Sequence, residues 1–435
     1  KLNRKQGSFG YNLEEMREIM APMALNGQEP VGSMGTDTPV AVLSKHSKLL
    51  YWYFKQLFAQ ITNPPIDPLR EEIVMSLTQY IGPARNILMP GPEHCRMLEI
   101  EHPIITNDVL EQLRHSDIEN FRGTTLSTLF SVEQGPEAMG QRLEALFVEA
   151  EAAVDAGRTM LVLSDRGVDA ERAPIPALLA LSSIHHHLIR VGKRSQCSLI
   201  VETGEAREVH HFALLVGYGL AAVNPYLAFQ TLQDMVNKGM LPSQDGNTQA
   251  DEETDVVYQY TENYIKAIGK GLLKILSKMG ISTIASYRGS QLFEIVGLHR
   301  EVVDLCFTGT PSRVQGHDFA ALDGLLGPDF RYAGHGGEMA RIIMEQVVAG
   351  YPAGLARITI LDVREEAGAT LSVHTTFDTA AGPEEHTLRF SGDGRLLQAE
   401  VAHAFSRYRH DRDARSLRIV NMRKSKDVGF FINVP

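Results

Sequence analysis

The sequence predicts an α/β fold: a parallel sheet covered by helices, followed by a smaller α+β domain with a curved antiparallel sheet. Three observations lead there. Between Thr159 and Tyr226, three short apolar runs each end in a polar cluster: Ser164 to Gly167 (SDRG), Glu202 to Glu205 (ETGE) and Asn224 to Tyr226 (NPY). The segments between those runs have helical spacing, so strand and helix alternate, and alternation of this kind requires a parallel sheet with helices on its faces. Past Gly327 the pattern changes to alternating runs, ARITILDVRE, ATLSVHTTFDT and EEHTLRFSGDGRLLQAEVAHAF, broken at Ala381-Gly382-Pro383 and Gly392-Asp393-Gly394. That is the pattern of antiparallel strands joined by tight turns.

In chain order, Asn12 is placed to cap a first helix, with Glu14 and Glu15 in its first turn. Gly32 to Pro39 (GSMGTDTP) is a small, polar segment, either a plain loop or a loop shaped against a neighbouring domain. Residues 47–60, SKLLYWYFKQLFAQ, have apolar side chains on most sides and predict a buried aromatic helix. Pro64, Pro65 and Pro68 then stiffen an elbow, after which Leu69 to Tyr80 resumes helical spacing. Short elements are expected at Asn107–Ser116 and Thr124–Phe130, and a long amphipathic helix at 136–156. Ala173–Val191 is helical and carries His185, His186 and His187, which point in different directions and cannot share one metal. Residues 241–255 read as a flexible polar insertion, Thr254 to Met279 as a helix, Ser282–Tyr287 as a fourth strand ending at Arg288, and Gln291 as the start of a helix. Glu338–Val348 reads as one further helix. Two domains are expected, the first over residues 1–327 and the second over 331–435; within the first, residues 1–156 are mainly helical and 157–325 form the βα core.

At 435 residues, with 43% hydrophobic and 22% charged residues, the chain is an ordinary globular one with room for a large core. A net charge of −11 argues against a nucleic-acid or anionic-membrane partner. Cys95, Cys197 and Cys306 have no metal spacing and form no disulfide framework, which suits a reducing cytoplasm. No apolar run approaches the roughly 20 residues of a membrane helix. The first residue is not methionine, as expected of a fragment or of a chain whose true start is missing.

In a parallel βα fold, chemistry collects at the carboxyl ends of the strands. The candidate cluster there is Asp165, Arg166, Glu202, Thr203, Asn224 and Arg288, with Tyr226 beside it. Two readings of it stay open. The glycine-bearing strand ends could cradle a phosphate on backbone amides, or the charges could pair with one another and close the mouth. No phosphate loop, zinc motif or nucleophile–base arrangement is present, so no catalytic residue and no metal ligand is assigned.

Several segments together carry a resemblance: GSMGTDTP (32–39), FAQITNPPIDPLREE (58–72), PEHC (92–95), LSDRG (163–167), VETGEAREVHH (201–211), NPYLAF (224–229), KMGISTIASYRG (278–289) and FTGTPS (307–312). Through them, residues 7 to about 320 closely resemble the central domain of the glutamate synthase large subunit. The resemblance implies a distorted TIM-barrel-like domain joining a glutamine amidotransferase domain to an FMN-binding domain. FMN and an iron–sulfur cluster are then expected in those partner domains and none in this chain. It also implies an ammonia tunnel whose wall or domain interface includes Ser33, Met34, Gly35, Thr36, Thr62, Asn63 and Ile66. The function expected is a non-catalytic, ammonia-channelling connector in the cytoplasm. The alternatives are a stand-alone domain binding a small anion, and an assembly protein. Residues 331–435 resemble an NTF2-like domain, through which a homo-oligomer is a further expectation.

Overall fold

The computed structural model describes residues 2–30, 40–44, 48–57, 65–86, 88–116, 118–134, 137–242 and 250–319, and strands within 358–401; for 250–255 and those last strands it describes the backbone path. The chain divides into two compact units, Lys1–Phe330 and Arg331–Pro435.

The first unit opens with α1 (Leu2–Ser8), α2 (Leu13–Glu15), a π-helical turn at Met16–Met20 and α3 (Ala21–Asn26). Asn12 caps α2 by accepting from the Glu15 N–H, and Gly27 ends α3 in the left-handed region at φ 58°. The aromatic stretch is not the expected helix. Leu50–Tyr53 forms a 3-10 turn, and Phe54–Gln56 is strand β1. Tyr51, Tyr53 and Phe54 are all buried. The aromatic side chains are apolar whether buried, as these are, or exposed, as Trp52 is, so the run shows no period that separates helix from strand.

Next come α4 (Pro68–Val74), capped by Asp67, and the antiparallel pair β2 (Gln79–Ile81) and β3 (Leu98–Ile100). The helix expected to reach Tyr80 thus stops at Val74. After α5 (Asn107–Arg114) the central sheet begins. Its strands are β4 (Gly123–Ser127), β6 (Met160–Ser164), β8 (Ser198–Glu202) and β9 (Ala222–Asn224), while β5 (Leu129–Ser131) and β7 (Arg172–Pro174) pair separately. The connecting helices are α6 (Ala138–Asp155), α7 (Ala177–Arg190) and α8 (Val209–Gly217), with α9 (Tyr226–Asn237) after the last strand. All three ladders of the central sheet are parallel.

The strands lie side by side in chain order with no reversal. That is the order of an arc of a βα barrel; a doubly wound sheet reverses at its switch point. Among the described residues the arc is open. Both faces are buried: Leu161, Leu163, Leu199 and Val201 join the large core, while Met160, Val162 and Ile200 pack with Ile105, Leu110 and Leu113 of the α5 side. A parallel sheet covered on both faces explains why these strands are continuous apolar runs rather than alternating ones.

Helix α10 spans Ala250–Met279 and packs on α3, α8 and α9, beginning four residues before the expected start. The segment expected as a fourth strand is instead the short helix α11 (Ile284–Tyr287), with one parallel bridge from Ser76 to Thr283. The expected helix from Gln291 is strand β10 (Phe293–Leu298), paired antiparallel to β1 and parallel to β11 (Ser312–His317), with α12 (Arg300–Cys306) between. Phe293 and Ile295 are fully buried while Glu294 and Val296 are half-buried, a spacing-of-two pattern that the β-branched residues of ISTIAS masked. The fourth strand of the parallel sheet is β4, which overlaps the short element expected at Thr124–Phe130.

The second unit holds an antiparallel meander of β12 (Ile358–Glu366), β13 (Thr370–Thr379), β14 (Gly382–Ser391) and β15 (Leu396–Val401). A register shift between Ile360 and Asp362 interrupts the first ladder. The expected helix at Glu338–Val348 lies outside the described residues.

Candidate functional site

The carboxyl ends of β6, β8 and β9 bring together five of the six cluster residues and Tyr226. The Glu202 carboxylate is 1% exposed and is held by the guanidiniums of Arg114 (2.7 Å) and Arg166 and by the Ser164 hydroxyl (2.5 Å). Arg166 also donates to Asn107 Oδ1 (3.1 Å) and lies over the Tyr226 ring at 4.4 Å. Asn224 Nδ2 donates to Ile105 O (3.0 Å) and Asn107 Oδ1 (3.1 Å). Each charge at the mouth therefore has a counter-charge, which is what desolvated ions require. Of the charges expected to pair with one another, Arg166 and Glu202 do so, while Asp165 takes the neutral donors Thr203 and Gly204 and Arg288 lies elsewhere.

Asp165 lies one layer deeper. It accepts from Thr203 Oγ1 (2.6 Å) and from Gly204 N (3.0 Å). The Tyr226 hydroxyl is close enough to favour the charged form of Asp165, although it does not reach hydrogen-bond geometry. Burial outweighs these contacts and pushes the Asp165 carboxyl up to about 6. Glu205 accepts from Ala177 N (3.1 Å), and burial with the neighbouring Asp165 pushes it up to about 8. Burial also raises Glu208, the residue before α8, to about 7.

Arg207 ties this layer to the N-terminus. Its guanidinium is 2% exposed and donates to Phe9 O (3.0 Å), Gly10 O (2.7 Å), Glu205 O (3.1 Å) and Glu15 Oε2 (2.9 Å), with its face 4.3 Å from the Tyr11 ring. Tyr11 Oη donates to Gly204 O (3.1 Å), and Tyr264 Oη to Arg207 O (2.8 Å). Gly204 is required here, because a Cβ would fall 2.6 Å from the Phe9 ring.

Arg288 departs from the expected cluster. It lies with His185 and Arg194, and Arg194 binds the carbonyls of Cys197 (2.7 Å) and Gly219 (2.8 Å), which precede β8 and β9. This is the amino-terminal end of the sheet. The mistaken strand at Ser282–Tyr287 is the cause: a strand there would have carried Arg288 to the mouth, and a helix does not. Of the expected tunnel residues, Ser33, Met34, Gly35, Thr36, Thr62 and Asn63 lie outside the described residues. Ile66 is half-buried, and its N–H donates to Ser277 O (3.0 Å).

The sequence reading missed Arg114, Ser164, Glu205, Arg207 and Glu208. The one available signal was the run of charges, Glu205, Arg207 and Glu208, inside an otherwise apolar stretch. His187 stacks on Phe147 and bonds Glu151 (2.7 Å), His186 meets Gln291 (2.9 Å) and His185 accepts from Arg194 (2.9 Å), so the three histidines serve three different contacts. Burial raises the Cys197 and Cys306 thiols, which disfavours a nucleophilic thiolate at either. Among the described residues, no group of three or more His, Cys, Asp or Glu is placed to hold a metal ion.

The buried carboxylates predict a pH effect. A carboxyl whose folded pKa is raised keeps its proton in the folded chain after the unfolded chain has lost it. Its stabilising contribution is full below the unfolded carboxyl pKa and is lost as pH rises through the folded value. Histidines contribute in the opposite direction, because burial lowers His185 to about 2 and His186 to about 4; their effect ends once unfolded imidazoles are neutral. Between pH 6.5 and 8.5, stability is therefore expected to fall by on the order of 2 kcal/mol, chiefly through Glu205. Urea denaturation at both pH values measures this, and a Glu205→Gln variant with an undiminished slope would remove Glu205 as the source.

Residues 4–299 match the family model for the glutamate synthase central domain. The chain is 45% identical over 315 residues to glutamate synthase [NADH] of Saccharomyces cerevisiae, covering 72% of this chain and 14% of that one. It is 41% identical over 322 residues to the glutamate synthase [NADPH] large chain of Bacillus subtilis, covering 73% and 20%. It is 44% identical over 326 residues to ferredoxin-dependent glutamate synthase 1 of Arabidopsis thaliana, again covering 73% and 20%. The chain thus spans a fifth or less of the length of these relatives. On the strength of that match, which runs from α1 through β10, the chain belongs to the glutamate synthase central domain family.

Proposed function

We propose that the first unit is a rigid connector in a glutamate synthase, which makes glutamate from glutamine, 2-oxoglutarate and reductant. It stands between amidotransferase and FMN-binding domains and contributes to the wall along which ammonia passes. Family membership over residues 4–299 is the observation that carries this reading. The filled strand mouth supports it. Arg114, Arg166 and Ser164 are all engaged by Glu202, so these three side chains are committed to closing the mouth. In this reading FMN and the iron–sulfur cluster are expected in the partner domains, where the flavin would carry the electron transfer. The work of this chain is to position and to exclude water. Three free cysteines suit a cytoplasmic setting, and no described helix is long and apolar enough to cross a membrane. For the antiparallel meander of the second unit we keep the NTF2-like reading.

The test is a Thr62→Trp substitution in the assembled enzyme. Filling the tunnel wall is expected to raise the ratio of glutamine hydrolysed to glutamate formed several-fold, with ammonia escaping to solvent. An unchanged ratio would take Thr62, and the elbow with it, out of the tunnel.

A further inference from the structure

We infer that the amino-terminal end of the parallel sheet carries an oxyanion site built on Arg288, with Arg194 and Ser290 beside it, for a ligand presenting a phosphate or carboxylate. This does not depend on the channelling role proposed above. Arg288 sits on the tight turn after α11, where its N–H bonds Ile284 O (3.0 Å) and the Ser290 N–H bonds Tyr287 O (3.0 Å). Gly289 between them has φ 74°, a conformation that favours glycine, and is exposed. The turn is thereby fixed in shape and open to solvent.

Its charge is not balanced. Arginine stays protonated in proteins. The half-buried Arg288 guanidinium makes no hydrogen bond or ion pair with any described residue. The turn lies against His185, whose Cε1 is 4.0 Å from where a Cβ on Gly289 would stand, and Arg194 Nε donates to that same ring (2.9 Å), so a second guanidinium shares the neighbourhood of Arg288. Arg194 is committed: Nε donates to His185 Nδ1 (2.9 Å), and its two terminal nitrogens to Cys197 O and Gly219 O. Acceptance at Nδ1 requires a neutral His185, so the imidazole adds no negative charge. Glu151 and Asp155 of α6 are already held by Lys193. No carboxylate among the described residues acts on either arginine.

Two neighbouring cations with no counter-ion among the described residues repel and are costly where water is partly excluded. The free planar fork of Arg288 is the group that binds phosphate or carboxylate through two parallel hydrogen bonds. A second, independent sign of a missing partner is Ser290, whose Oγ is buried with no hydrogen-bond partner, a rare condition for a hydroxyl. One oxyanion would neutralise the arginine pair and supply the acceptor that this hydroxyl lacks.

The 435-residue chain is titrated with inorganic phosphate at constant ionic strength, potassium chloride making up the difference, and binding is followed by calorimetry and by the thermal midpoint. Saturable binding is expected, with affinity weakened at least tenfold in Arg288→Gln, less in Arg288→Lys and several-fold in Ser290→Ala. A wild-type chain that responds to phosphate no more than to matched chloride overturns the site, and needs no variant to fold. Equal affinity in a folded Arg288→Gln overturns it as well. Repeating the titration on a chain extended by the flanking glutamate synthase domains separates two sources of the oxyanion. Persistent binding assigns a free ligand, and binding lost on extension assigns an acidic side chain from those domains.

Discussion

Replacing Arg207 with alanine is expected to lower the stability of the first unit by about 3–5 kcal/mol, the range seen when one partner of a buried charge pair is removed. Arg207 is among the largest fully buried side chains in the unit, and its guanidinium serves three carbonyls and one carboxylate at once. Truncation would orphan Phe9 O, Gly10 O and Glu205 O, and strand Glu15 beside Glu208. Unmet buried acceptors cost more than the bonds themselves contribute. The damage should be local in its first expression. Amides of residues 9–15 should exchange quickly while β6 and β8 stay protected, which hydrogen exchange on the variant can resolve. Arg207→Lys should rescue little, because one ammonium cannot reproduce a planar fork aimed at two successive carbonyls. An Arg207→Ala chain as stable and as protected as wild type would remove this residue from its structural role.

Replacing Glu202 with alanine should produce the other large effect, at the lower end of the same range, about 3 kcal/mol. The carboxylate is buried, whereas its partners are not: the Arg114 side chain is 21% exposed and Arg166 38%. Both cations keep secondary contacts, Arg114 with Glu111 and Arg166 with Asn107 and the Tyr226 ring, and water can reach Arg166. Those contacts are why the cost stays below that of Arg207. Glu202→Gln keeps the shape and loses the charge, so its loss should be intermediate. Denaturant midpoints of the two variants, with the Arg166→Ala double variant to isolate the pair, check the ordering. Equal stability of Glu202→Ala and wild type would mean that the mouth is not held by charge.

The features of this site that could be read in the sequence are those written locally. Three apolar runs ending in SDRG, ETGE and NPY announced β6, β8 and β9, and placed Asp165, Arg166, Glu202, Thr203 and Asn224 at their carboxyl ends. The rest depends on contacts that no local pattern encodes. Arg114 reaches Glu202 across 88 positions and Arg207 reaches Phe9 across 198. Arg288 was misplaced for a different reason. Ile, Thr and Tyr favour strands by propensity, but one turn of helix packed into the core prevailed over that preference, and the direction of the following residue changed with it. The aromatic segment at 50–56 failed likewise, since its side chains are apolar whether buried or, like Trp52, exposed, and the run therefore lacks the periodicity that separates helix from strand.

The Arg207 clamp also bears on how the polypeptide matures. Phe9, Gly10 and Glu15 can find their shared partner only after some 190 further residues have been made, and Gln6 waits longer still for Thr231. Such distant contacts form late, and the segments that await them stay exposed to aggregation or to chaperones meanwhile. The opening helices should therefore close last, as a latch over a sheet already assembled. Pulse-labelling during refolding should find the amides of β6 and β8 shielded well before those of residues 9–15.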